Sequence, residues 1–254
     1  MRDALRLAVG TLTLLPTRPP ADVDKPVAGA AMLIAPVAVL PLAVVWGLGH
    51  AATRISSVSA LLVGVLVIAA TALYSRGLHL DGLADTVDGL SASHDPQRAL
   101  AVMKTGDVGP GGAAALVLVL IVQAVALGSL LTSAAGSALA VIALLTSRHV
   151  LAWGCWSRIP TARATGLGAT VGGSVPTSAL LTMTTVLLVL AGIAGRLSGA
   201  AWYAGPLAVV IGLLAAGLVL RTALRRIGGM TGDILGACVE VSLSAALVAA
   251  TVLR

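Results

Sequence analysis

Phenylalanine is absent from this chain of 254 residues, and aromatic side chains make up only 2% of it. Charged residues are also scarce, at 10%, against 58% hydrophobic residues and a mean hydropathy of +1.02. That balance excludes an ordinary soluble domain and places the chain among integral membrane proteins. Short segments of alternating polarity are missing too, which excludes a membrane β-barrel, and long unbroken apolar runs stand in their place. Only two cysteines occur. Cys155 and Cys238 lie far apart without metal-ligand spacing, so neither a disulfide nor a zinc site is indicated. The apolar mass is therefore Ala, Leu, Val and Ile, interspersed with 29 glycines, a composition that favours helices packed closely through small residues.

The fold class expected is an all-α, polytopic membrane bundle forming a single domain over residues 1–254. Apolar runs at 29–52, 58–75, 111–135, 136–152, 178–195, 202–220 and 233–253 each approach the ~20 residues that cross a bilayer core. They give about seven transmembrane helices, between six and eight. Pro36 and Pro41 should kink the first, and the third and fourth are divided only by a Gly-Ser turn region. Residues 1–15 read as an interfacial helix followed by a Pro-rich turn, because no small-residue cleavage site of a signal peptide follows.

Alternating the spans places Arg2, Arg6, Arg18, Lys25, Arg76, Arg98, Lys104, Arg158, Arg163, Arg221, Arg225 and Arg226 on the side of the N-terminus. Arg54, Arg196 and Arg254 fall on the other side. The positive-inside rule makes the first side cytoplasmic, in the inner membrane. The net charge of +6 is thus accounted for by membrane orientation, and no nucleic-acid partner is expected. Whether the bundle works as a monomer or a homo-oligomer is not encoded in any motif.

Polar chemistry is concentrated in a few places. The run from Leu78 to Leu90, L-H-L-D-G-L-A-D-T-V-D-G-L, holds three of the ten acidic residues. Asp81, Asp85 and Asp88 are spaced i, i+4, i+7, so on a helix their carboxylates fall within roughly 60° of one another. Three anions so close must take up a proton or share a cation. Mg²⁺ suits such a set, because it uses a few carboxylates and completes its shell with water and substrate phosphates. A solvated acidic helix face is the plainer alternative, but carboxylates directly after a membrane span are usually functional.

The same loop continues to a second short helix, capped by Ser93 or Asp95 and starting at Pro96. Its Arg98 and Lys104 could hold phosphate oxygens or serve orientation alone, Asp107 could add a metal ligand, and His79 or His94 could act as bases. The 153–177 loop offers Arg158 and Arg163 to an anionic substrate, without specific spacing. In R-T-A-L-R-R-I-G-G-M-T-G-D-I-L-G-A, from Arg221 to Ala237, Asp233 is either a helix N-cap or a further metal ligand. Glu240 lies seven residues on, within the last span, so the two together suggest a second acidic wall. Arg225 and Arg226 beside it could balance a pyrophosphate.

These stretches, H-L-D-G-L-A-D-T-V-D-G (79–89), Arg98 with Met103, Ser147-Arg148, and G-G-M-T-G-D-I-L-G-A with Glu240, resemble the cobalamin synthases, the adenosylcobinamide-GDP ribazoletransferases. The resemblance covers nearly the whole chain. It implies that adenosylcobinamide-GDP is joined to α-ribazole, or its 5′-phosphate, with release of GMP and with Mg²⁺ as cofactor. Asp81, Asp85 and Asp88 would be catalytic and metal-binding, with Asp233 the next metal ligand. Arg98, Lys104, Arg148, Arg225, Arg226 and Glu240 would contact substrate. One stretch departs from the pattern. Many members read M-[KR]-D-S-R-[LI]-G where this chain has Met103-Lys-Thr-Gly-Asp-Val-Gly109, so Thr105 and Asp107 replace the usual acidic residue and Arg. Two rivals fit less well. A CDP-alcohol phosphotransferase would carry an Ala-Arg pair after the first Asp-Gly. A cation transporter would string carboxylates through its spans, where only Glu240 lies well inside.

Overall fold

The computed structural model describes residues 1–55 and 57–254, and these are helical throughout apart from turns and two isolated bridge pairs, Trp156–Val175 and Thr161–Met230. The chain opens with α1 (Arg2–Leu12), whose buried residues Ala4, Ala8 and Leu12 recur every fourth position and leave the other faces polar or exposed. That is the amphipathic helix expected. Its C-terminal carbonyls at Gly10 and Thr11 accept hydrogen bonds from the Arg76 guanidinium.

The first expected span is broken where its prolines fall. It forms α2 (Lys25–Leu33), α3 (Ala35–Ala38) and α4 (Leu40–Ile55), interrupted at Ile34 and Val39. Pro36 and Pro41 cannot donate a helical hydrogen bond and crowd the preceding turn, so each interruption lies two residues before its proline. Asp24 starts α2 by accepting a hydrogen bond from the Val27 amide at 2.8 Å. The second span is α5 (Ala60–Tyr74), only 15 residues long.

Five helices are long and apolar enough to cross a bilayer unaided: α8 (Pro110–Leu130), α9 (Ala134–Gly154), α11 (Thr177–Ser198), α12 (Ala204–Ile227) and α13 (Gly232–Leu253). A sixth would be α5 with α6 (Leu78–Ala92), but the two are bent by 89°. The step from seven to five or six therefore lies wholly in the first two expected spans. The third span ends at Leu130, not 135, because the Ser133 hydroxyl accepts from the Gly136 amide and opens α9 there.

The helices α9 and α13 form the buried centre, and α8, α11 and α12 surround them with faces of exposed Leu, Val and Ile. Small residues set the closest approaches. A Cβ on Gly64 of α5 would lie 2.3 Å from the Ala124 carbonyl oxygen of α8, so only glycine lets these backbones touch. Two short helices, α7 (Pro96–Val102) and α10 (Leu167–Val171), lie outside the spans. Asp95 caps α7, accepting from the Gln97 amide at 3.0 Å, with Pro96 at its first position.

Candidate active site

The site begins with the turn that ends α5. Arg76 and Gly77 both adopt the left-handed conformation, with φ of 54° and 70°. Glycine does so freely, whereas Arg76 is held there by the bonds of its guanidinium to α1. This turn swings α6 away from the axis of α5 and lays it across the first turn of α13. At the crossing a Cβ on Gly82 would sit 2.7 Å from the Asp233 carbonyl oxygen, and one on Gly236 would sit 3.0 Å from that of His79. Backbone contact at that point brings the carboxylates of α6 to the start of α13.

The acidic residues then divide by what they bond. Asp81 is exposed, and Asp85 is half-buried. Burial, with Asp81 and Asp233 as the nearest negative neighbours, pushes the Asp85 carboxyl up to about 6, and only Arg163 opposes the rise. Asp88 has a different task. Its two oxygens accept the amides of Gly109 at 2.7 Å and Gly112 at 2.8 Å, capping the N-terminus of α8. The N-cap of α13 is Thr231, whose hydroxyl accepts from the Ile234 amide at 3.2 Å. Asp233 is therefore not the cap, and its carboxylate is left to Thr231 and Arg163.

A cavity of about 210 Å³ opens beside this crossing, lined among others by His79, Asp81, Arg163, Gly168, Met230 and Asp233. It combines a mainly apolar wall with a carboxylate-bearing rim, the usual make-up of a small-molecule site. His79 is buried, and burial followed by the nearby Arg148 charge holds it well below its ordinary value, so it is neutral. His94 is exposed, beyond the C-terminal end of α6.

The basic residues expected at the site are scattered by the fold. Arg98, Lys104 and Arg225 are exposed, as is Asp107. Arg226 is half-buried and donates to the Leu90 and Ser93 carbonyls at 3.0 and 2.9 Å, closing the C-terminal end of α6. Arg148 and Glu240 do not line the cavity; they are buried inside the bundle. Arg148 donates to the Ser147 hydroxyl at 2.7 Å, and Glu240 accepts from the Gln123 amide of α8 at 2.8 Å. Glu240 shares a helix face with Asp233, but seven residues at ~1.5 Å each set it about 10 Å deeper along α13. The second acidic wall is thus a single carboxylate, Asp233.

The residue that sequence reasoning underrated is Arg163. It forms a 3.0 Å ion pair with Asp233 while its other terminal nitrogen donates to the Leu100 carbonyl of α7. No periodicity marks it, because its position comes from an irregular loop. The loop is laid against residue 230 by Ala162 donating to the Met230 carbonyl and Met230 donating to that of Pro160.

Among the described residues no three His, Cys, Asp or Glu side chains converge into a ready-made metal cage. The donor set nevertheless fits Mg²⁺. It consists of carboxylate oxygens alone, partly open to solvent, and Mg²⁺ usually binds through one or two carboxylates while water and phosphate oxygens supply the rest. A guanidinium already stands as the positive partner of one of them.

Comparison with known proteins accords with this architecture. The family model for cobalamin-5-phosphate synthase matches residues 4–251. An adenosylcobinamide-GDP ribazoletransferase of Nocardioides sp. (strain ATCC BAA-499 / JS614) is 47% identical over 249 residues, covering 98% of each chain. That of Frankia casuarinae is 37% identical over 256 residues, covering 95% of this chain and 92% of its own. A third, from Pseudomonas fluorescens (strain SBW25), is 33% identical over 244 residues, covering 95% and 96%. No solved structure matches the chain. With nearly every residue from the amphipathic α1 to the end of α13 aligned, the chain belongs to the cobalamin-5-phosphate synthase family.

Proposed function

We propose that the chain is a single-domain, Mg²⁺-dependent ribazoletransferase of the inner membrane, with its site facing the cytoplasm. It joins adenosylcobinamide-GDP to α-ribazole, or to α-ribazole 5′-phosphate, and releases GMP. The observation that carries this reading is the crossing of α6 and α13, which sets Asp81 and Asp233 at the rim of one cavity, with Asp85 behind them and close enough to feel both charges. The orientation rests on charge. The bundle end that bears the cavity also bears twelve of the sixteen Lys and Arg residues, and Arg54, Arg196 and Arg254 lie at the other.

In this reaction a ribose hydroxyl of α-ribazole attacks the phosphorus attached to cobinamide. The new P–O bond forms as the bond to the bridging oxygen breaks, and GMP leaves with that oxygen while the hydroxyl proton goes to a base. Mg²⁺ would be held through one or two carboxylates of the set Asp81, Asp85 and Asp233, with water and phosphate oxygens as its other ligands, and would neutralise the pyrophosphate and stabilise the leaving oxygen. Asp88 fixes α8 against α6, and Arg226 fixes the far end of α6. The cavity is smaller than the roughly 300–1,000 Å³ of sites that enclose a drug-sized ligand. The corrinoid therefore lies outside it, at the membrane surface.

The test is GMP release from adenosylcobinamide-GDP by the purified protein in detergent or liposomes, with and without α-ribazole and Mg²⁺. Release that requires both is expected. Intact, folded protein that releases none under any condition would overturn the assignment.

A further inference from the structure

Arg163 has a position that the transfer reaction alone does not explain. Among the described residues only two ion pairs occur, and one of them, Arg6–Asp3, lies on α1 away from the carboxylates of α6 and α13. The other joins Arg163 to Asp233 at 3.0 Å, with 19% and 22% of the two side chains exposed. The remaining cations near the site are committed or turned outward: Arg226 bonds the end of α6, Arg148 lies inside the bundle, and Arg98 and Lys104 are exposed.

Charge does not bring Arg163 there by itself. The backbone of its loop is bonded to the strand-like segment before α13 through Ala162, Pro160 and Met230. A Cβ on Gly229 would sit 2.5 Å from the Ala162 nitrogen, so the two segments touch directly. The guanidinium is also tethered to the Leu100 carbonyl, and its buried Nε has no hydrogen-bond partner. A cation is thus built into the same carboxylate that the metal would use.

We infer that Arg163 is an internal counter-cation that competes with the divalent metal for Asp233 and so weakens metal binding in the substrate-free protein. The inference rests on the reading of Asp81, Asp85 and Asp233 as the metal's ligands. In the absence of metal the guanidinium holds Asp233 beside Asp81 and Asp85 despite their mutual repulsion. A bound divalent ion has to share the carboxylate with a fixed positive charge or displace it, and either costs affinity. Low intrinsic affinity would then be raised by the phosphates of the substrate, which bring further oxygen ligands.

The experiment titrates Mn²⁺ into the substrate-free protein in detergent and follows the free ion by electron paramagnetic resonance. Arg163→Gln is expected to bind Mn²⁺ about tenfold more tightly, the scale of removing one charge beside a divalent ion in a well-solvated site. Arg163→Lys should stay within about twofold of the unaltered protein on the same reasoning, and Asp233→Asn added to Arg163→Gln should abolish the gain. Equal or weaker binding by Arg163→Gln overturns the inference. So does a gain that survives Asp233→Asn, or a failure of the unaltered protein to bind Mn²⁺. GMP release measured on the same preparation separates the two readings. Tighter Mn²⁺ binding without release leaves the counter-cation standing and removes the transferase; release with no change in Mn²⁺ affinity does the reverse.

Discussion

At the scale of single residues, two aspartates of one helix face are separated by their bonds. Asp85 stands half-buried among negative neighbours with its proton held up to about 6. Asp88, three residues on, has both oxygens occupied by amides of α8. Their substitutions should therefore fail differently. Asp85→Asn removes charge from the proposed metal site and should lower turnover by about 10²–10³-fold, the range seen when a group stabilising developing charge is lost, with membrane expression unchanged. Asp88→Ala removes a helix cap and should cost about 1–2 kcal/mol of stability, read as a lower unfolding temperature in detergent. Near-normal turnover in Asp85→Asn would remove the metal reading. The spacing of the three aspartates is legible in the sequence, but their division of labour is not. It depends on Gly109 and Gly112, more than twenty residues away along the chain, arriving opposite Asp88 alone.

At the scale of elements, the site exists because α6 and α13 cross in backbone contact. Gly82 and Gly236 are the residues without side chains at that crossing. Gly82→Leu would force the helices apart by the width of a side chain and carry Asp81 and Asp85 away from Asp233. The contact lies at the first turn of α13 and leaves the rest of that span's packing in place, so the variant should insert and fold while losing GMP release by more than about tenfold, since a displacement of about 1 Å already costs on the order of 10²-fold. Wild-type turnover in a folded Gly82→Leu protein would show that the crossing does not organise the site. The prolines of the first span and Pro96 at the start of α7 are read correctly from the sequence, because they act through local backbone chemistry. The 89° turn between α5 and α6 is not. Nothing in Ser75-Arg76-Gly77 fixes its direction until Arg76 finds the end of α1.

At the scale of the whole molecule, the interior is not uniformly apolar. Glu240 of α13, Gln123 of α8 and Arg148 of α9 bring polar groups into the middle of a helical bundle. Each is costly there unless its charge is answered from a neighbouring helix. Glu240→Ala leaves Arg148 without a nearby negative charge and removes the shortest of the Gln123 amide's bonds, leaving those to the residue 240 carbonyl and the Ser244 hydroxyl. It should destabilise the protein by about 1–3 kcal/mol, the cost of taking away a buried polar group's partner. Arg148→Met combined with Glu240→Gln should recover part of that loss, because no uncompensated charge remains. Thermal unfolding in one detergent compares the three, and equal stability of Glu240→Ala and the unaltered protein would refute an interaction between the helices at this point.

Composition and local pattern settle a good deal about this protein: a helical membrane bundle, its basic end, an amphipathic first helix, the proline breaks and an acidic helix after the second apolar run. All of these follow from solvent preference and backbone geometry acting over a few residues, which a linear sequence records. The family follows from the order of its motifs. What only the tertiary structure decides is which charges meet. Glu240 and Arg148, expected at the substrate, are withdrawn into the bundle because α13 carries Glu240 inward by two turns and Arg148 lies on the buried α9. Arg163, unremarkable in its loop, is delivered to Asp233 because the loop backbone is bonded beside α13. Pairing of distant charges depends on where whole elements come to rest, and that is fixed by packing across the bundle, not by spacing along the chain.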